Sequence, residues 1–339
     1  MRIKECIKIV SRGHCIQTSR EGVLMYMLDG YTYCNNNPII QGYLRVYPSL
    51  NDEIYLESFD PCIIYKLDIT DNSLSTCVSI PDGYIRLGHS NAWFVYWNYQ
   101  NEKDIYTCVK DGECVWTTVS EYGKLIQIQG FGLLYDGIGE AGGSCQLIDL
   151  STGSVLWELD YPGANIRQVY PYEDKVIIVW FRKPESKSKN RVLCVEVPSG
   201  KVLWENDAAK EYKKYGDDKL VCFYVHYWED GNDDRDLYTE LNVHTGEVYT
   251  RRYLGYNANV FVTTIYKDYL FYGAEKWGAY VGAINLRTYE MLPEVKVDFT
   301  PGGFNQIASI GVYDGQLYVE IQTELNHSDI HVLDLEEDE

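Results

Sequence analysis

Along Leu147–Trp157 hydrophobic and polar positions alternate as they do in a half-buried strand, break at Ser151-Thr152-Gly153, and resume in Val155-Leu156-Trp157. The break reads as a hairpin turn in which Gly153 takes a positive φ, and the β-branched and large residues after it suit a return strand. The same register recurs at Leu67–Asn72, Val109–Gly112, Val197–Gly200, Val243–Gly246 and Leu286–Tyr289, and Leu333-Asp334-Leu335 begins a last copy. Turn positions 72, 112, 153, 200, 246 and 289 lie 40, 41, 47, 46 and 43 residues apart, the length of one four-stranded propeller blade.

A second pattern checks the count. Strongly apolar runs at 23–27, 53–56, 92–97, 132–135, 175–180, 220–225, 269–272 and 316–319 number eight. Strands apolar on both faces belong inside stacked sheets, where the second strand of a blade lies. The last blade runs out of chain before an outer strand, whereas residues 1–10 form a strand with no blade of their own. Pairing the two closes the ring and removes an exposed edge. The predicted fold is therefore all-β: a β-propeller of four-stranded antiparallel blades, eight in number, with the N-terminal strand closing the last. Seven blades with an N-terminal extension is the alternative, because the first blade, about 13–41, is short. As a domain plan, 1–339 is one propeller: 1–10 the closing strand, 11–335 the blades and 336–339 an acidic tail.

The motif Asp149-x-x-Thr152-Gly153-x-x-x-Trp157, echoed by Glu196-x-x-Ser199-Gly200-x-x-x-Trp204, resembles the repeat of the pyrroloquinoline-quinone-type propellers. Trp116 follows Gly112 at the same offset, whereas Thr250 and Pro293 stand where Trp is expected in later copies. The resemblance implies a ring in which Trp locks neighbouring blades. It also implies a motif shared with scaffold proteins that bind no quinone, and no quinone or calcium ligand of the dehydrogenases maps onto these residues.

Charge narrows the function. Fifty acidic against 30 basic residues give a net charge of −20, which argues against nucleic-acid and anionic-membrane partners and suits a basic protein. The start, Met1-Arg2-Ile3-Lys4-Glu5, is too charged for a secretory signal, and no apolar run reaches the ~20 residues of a membrane span, so the expected location is cytoplasmic. Ten cysteines show no C-x-x-C spacing, and most sit inside strand-like runs, so buried free thiols are the default.

Motifs that suggest chemistry fail on context. Gly137–Gly142 fits G-x-G-x-x-G, but the strand-like Ser144–Ile148 follows it where a dinucleotide site needs a helix. The acidic stretch Trp228–Asp236 lacks calcium-loop spacing. His327 and His331 are four apart without a third ligand nearby. The basic run Arg182–Arg191 reads as a loop between strands, and Ala208–Tyr215 has the letters of a short insertion helix. Neither cofactor nor metal is expected. The reading is a non-catalytic, cytoplasmic protein-binding propeller, in a specific form an immunity or antitoxin-like inhibitor of a basic toxin or enzyme. Its partner-binding candidates lie on Tyr-rich, acidic loops that supply aromatic anchors and charge: Tyr170, Tyr172, Glu173 and Asp174, with Tyr227, Trp228, Asp230, Asp233, Asp234 and Asp236. An enzyme, a lyase or hydrolase, with its active site at the central channel, and a glycan-binding ring, are the alternatives.

Overall fold

A computed structural model describes the chain apart from residues 12, 19–22, 49–53, 59–61, 69, 81–84, 91–92, 102, 120–123, 129, 136–142, 184–185, 188, 225–236, 254–257, 276–277, 298–305, 325–326 and 338–339. Eight four-stranded antiparallel sheets form the ring of a propeller, and among the described residues no helix occurs. Each of the first seven blades takes its strands in chain order from hub to rim. The inner strands are His14–Thr18, Leu44–Pro48, Ile85–Ser90, Lys124–Ile128, Ala164–Tyr172, Lys213–Tyr215, Ala258–Tyr266 and Gln306–Tyr313. The eighth blade is completed from the other end of the chain. Arg2–Ser11 pairs antiparallel with His327–Glu336, Ile3 opposite Leu335 and Val10 opposite Ile330, so the predicted closing strand is in place.

The repeated turn has a physical cause. In the fourth blade the Asp149 carboxylate accepts from the Ser151 amide at 2.7 Å and the Ser151 hydroxyl at 2.5 Å, and Gly153 N–H closes the turn onto Asp149 O at 2.7 Å. Those donors hold the Asp149 carboxyl below the usual carboxylate range. Asn242 and Asn285 cap the corresponding turns of the sixth and seventh blades in the same manner. All six turn positions recognised in the sequence have positive φ, including the non-glycine residues Asn72 at 57° and Tyr289 at 60°.

The core is divided among the seams. Eight clusters of buried side chains each join two neighbouring blades, and the cluster of Leu24, Tyr26, Tyr318, Ile330 and Val332 joins the first to the eighth. Because a strand presents alternate side chains to opposite faces, a second strand such as Lys175–Arg182 fills two seams at once. Val176 and Ile178 enter one cluster while Ile177 and Val179 enter the next. Hence these strands read as continuous apolar runs.

One local expectation is corrected. Ala208–Tyr215 forms no helix: Lys213–Tyr215 is the inner strand of the sixth blade, and Tyr212 before it is buried against the fifth. Helix-forming letters lose here because Tyr212 and Ala209 fill the seam, and tertiary packing overrides propensity.

Candidate functional site

Three surfaces of the ring carry polar or exposed groups able to meet a partner: one end, the outer rim and the hub. The hairpins from inner to second strand and from third to outer strand emerge at the same end. Backbone bonds tie the two hairpins together, from Leu150 N to Gly130 O at 3.0 Å, Val197 N to Asp174 O at 2.7 Å and Val243 N to Asp218 O at 2.9 Å. This turn end is acidic: Asp71, Asp111, Glu173, Asp174, Asp217 and Asp218 are exposed. Two cations there are already engaged, Lys267 by Glu337 and Arg287 by Asp268 at 2.9 Å.

At the rim, the residues after each turn glycine are apolar and open to water. Val115, Val155, Leu156, Val202, Leu203, Val248 and Tyr249, on outer strands of the third to sixth blades, keep 37–53 % of their surface exposed. They form a band because each Trp reaches across its seam. Trp116 Nε1 donates to Leu150 O at 2.7 Å, Trp157 Nε1 to Val197 O at 2.6 Å and Trp204 Nε1 to Val243 O at 3.0 Å. The indole of one blade thereby lies beside the turn that leads into the next blade's exposed pair.

The first group of sequence-predicted site residues divides between core and surface. Tyr172 belongs to the seam of the fifth and sixth blades, and the Tyr170 hydroxyl donates to Tyr212 O at 2.6 Å. Both lie on the inner strand, which extends through the stretch expected to be a loop. Burial raises the Tyr170 and Tyr212 hydroxyls well above the ordinary tyrosine value. Glu173 and Asp174 stand exposed on the turn end. Tyr227, Trp228, Asp230, Asp233, Asp234 and Asp236 lie outside the described residues, as does Gly137–Gly142. Segment 225–236 joins second to third strand, and those strand ends are at the end of the ring opposite Glu173 and Asp174.

The sequence offered the central channel as an alternative site but named none of its residues. Neighbouring inner strands touch, for example those of the third and fourth and of the seventh and eighth blades, so these strands surround the axis. Arg167 occupies a bulge between Ile166 and Gln168, and Glu211 lies just before the inner strand of the next blade. Burial raises the Glu211 carboxyl, and the charges of Arg167 and Lys213 oppose that shift. Lys213 has access to water yet is hemmed in by protein; the crowding lowers its ammonium pKa, and Glu211 opposes the change. Buried Glu240 is satisfied by Lys219 at 2.7 Å, the Tyr238 hydroxyl at 3.0 Å and the Tyr289 hydroxyl at 3.3 Å. With every donor built into the seam, Glu240 is a structural carboxylate. His331 is buried and His327 exposed, and among the described residues no group of three metal-ligating side chains converges.

No family model and no curated protein matches the chain. Solved structures similar to it include BamB from Moraxella catarrhalis at 12% identity and TM-score 0.51, covering 100% of this chain and 95% of that one. The computationally designed Ika8 protein is similar at 11% identity and TM-score 0.62, with 99% and 100% covered. The C-terminal WD40 domain of Sif2 is similar at 10% identity and TM-score 0.59, with 99% of each chain covered. At these identities the likeness is one of fold.

Proposed function

We propose that this chain is a non-catalytic protein-binding propeller whose partner is basic and docks on the turn end. The observation that carries the reading is the juxtaposition of exposed acids on that end with the apolar band of the adjoining rim. Exposed apolar side chains repeated along one rim suit a protein interface, and carboxylates beside them steer a cationic partner and set its orientation. The finer form is a cytoplasmic inhibitor of the immunity type, built on a repeat of the pyrroloquinoline-quinone type that holds no quinone. Its support is the charge of −20 together with the fold. A protein of the same fold occurs in a mitotic checkpoint complex, at 8% identity and TM-score 0.52, which illustrates a propeller within an assembly.

The test is affinity purification of the tagged chain at low and moderate salt, beside a variant carrying Glu173→Lys, Asp174→Lys, Asp217→Lys and Asp218→Lys. A stoichiometric basic protein that is lost at moderate salt and absent from the variant supports the reading. Elution of the chain alone, or equal capture by both forms, refutes it. The channel-enzyme alternative rests on Glu211 beside Arg167 and Lys213; turnover of a substrate that Glu211→Gln abolishes would establish it instead.

A further inference from the structure

The eight inner strands contain Arg45, Arg86, Lys124, Arg167, Lys213 and Lys214 and not one Asp or Glu, in a chain with 50 acidic residues. The hub thus opposes the net charge of the molecule. Four of these cations come from consecutive blades, the third to the sixth, and ladder pairing places them at one level of the channel. Arg86 stands opposite Tyr96, Lys124 opposite Tyr135 and Lys213 opposite Val221, while Arg167 bulges out between the residues opposite Trp180 and Val179. When the second strands are aligned on Val95, Leu133, Ile177 and Val221, whose third-strand partners stand opposite Trp116, Trp157, Trp204 and Tyr249, the ladder partners of the four cations fall within three residues, about 10 Å along a strand. None of the four faces a carboxylate across the ladder, whereas Arg45 stands opposite Glu57.

Among the described residues Lys124, Arg167 and Lys213 close no salt bridge; Glu211, next to Arg167 and Lys213, is the nearby counter-charge. All three are exposed. Like charges gathered at one level in a cleft with protein walls focus a positive potential.

We propose that this level of the central channel binds a small molecule carrying two or more phosphoryl groups. Arg167 offers a planar fork that matches a phosphoryl group, and Lys124 and Lys213 supply point charges. Each phosphoryl group carries a charge of about −1.5 to −2, so two of them neutralise the four cations once Glu211 is counted. The compact spread of the cations along the axis favours a small polyanion over an extended chain.

The experiment uses the full chain and inorganic tripolyphosphate as probe, with citrate as a polyanion that lacks phosphorus. Calorimetry is expected to give one tripolyphosphate per chain. Lys124→Gln and Arg167→Gln are each expected to weaken binding at least tenfold, and Lys201→Gln, at the turn end, to leave it unchanged. If Arg167→Gln unfolds because Glu211 loses its counter-charge, R167Q/E211Q removes both charges. In the unmodified chain, bound tripolyphosphate should protect Lys124 and Lys213, but not Lys201, from acetylation read by mass spectrometry. Citrate binding as tight as tripolyphosphate would overturn the phosphoryl assignment. Absence of binding, or binding with no protection of Lys124 and Lys213, would overturn the site.

Discussion

Trp157 of the fourth blade rests on Gly200 of the fifth so closely that a Cβ at Gly200 would lie 2.6 Å from the indole Cγ. The glycine serves two purposes there, since its φ of +71° also disfavours any side chain. Gly200→Ala is expected to cost about 2–4 kcal/mol, the sum of left-handed strain and overpacking. Gly30→Ala is the control, because Gly30 has φ +79° and nothing within 4 Å of a new Cβ. It should lose only the conformational part, about 1 kcal/mol. Urea unfolding of both variants checks the difference; equal losses would remove Trp docking from the account.

The seam between the sixth and seventh blades keeps the turn and exchanges its parts. Tyr289 replaces the glycine, holds φ 60°, and packs its ring 5.0 Å from Tyr249 and 5.8 Å from Tyr238, while its carbonyl accepts from the Tyr253 hydroxyl at 2.6 Å. Removing the ring by Tyr289→Ala should cost about 3–5 kcal/mol. Tyr289→Gly should cost less than Tyr289→Ala, by up to about 1 kcal/mol, since glycine tolerates the positive φ. Thermal or urea midpoints rank the three proteins; an alanine variant as stable as the glycine variant would mean that the strain at this position is negligible.

These two seams also explain what was legible in advance. The period, the turns and the eight second strands follow from side-chain alternation and glycine placement, which are local. The occupant of the Trp slot in the sixth blade is different: counting from Gly246 points to Thr250. The third and fourth blades carry a one-residue bulge before Trp116 and Trp157, as does the fifth before Trp204, and the sixth lacks it. Without the bulge Tyr249 stands opposite Glu240, the ladder position that Trp157 holds opposite Leu147. A bulge leaves no letter in the sequence. Likewise Arg86, Lys124, Arg167 and Lys213 lie about 40 residues apart and meet only because their strands surround one axis. Tyr170 and Tyr172 looked like loop anchors because the inner strand ends in polar turn residues; the seam that covers them is supplied by Ala209 and Tyr212.

Removal of residues 1–11 should open the ring. That strand buries Met1 and Ile3 in the seam of the seventh and eighth blades and covers the edge of His327–Glu336. Losing the two side chains alone costs about 3–6 kcal/mol at 1.5–3 kcal/mol each, and the bare edge becomes a template for another chain. Size-exclusion chromatography should show dimers or larger species, and a peptide of residues 1–11 added in trans should return the monomer. A truncated chain that stays monomeric with an unchanged melting temperature would mean that closure does not depend on this strand.

Alkaline pH should unfold the protein through groups that the core keeps neutral. Burial pushes the Cys34 and Cys194 thiols up to about 11 and those of Cys108 and Cys145 up to about 12, and it raises the Tyr26 and Tyr135 hydroxyls to about 12. The unfolded chain releases the thiol protons near pH 9 and the phenolic protons near pH 10, so between those values and 12 it holds fewer protons than the folded chain. Stability present below pH 9 therefore falls as pH rises towards 12. The same burial sets thiol reactivity, because the thiolate is the nucleophile. At pH 8 a thiol reagent should modify exposed Cys77 and Cys114 rapidly, and Cys34, Cys108, Cys145, Cys194 and Cys222 only when the chain unfolds. Urea titrations at pH 8, 9, 10 and 11 should show a falling midpoint, and the slow labelling rate should rise in step with it. Rapid modification of Cys145 in the folded chain at pH 8 would show that the seam between the fourth and fifth blades opens without global unfolding.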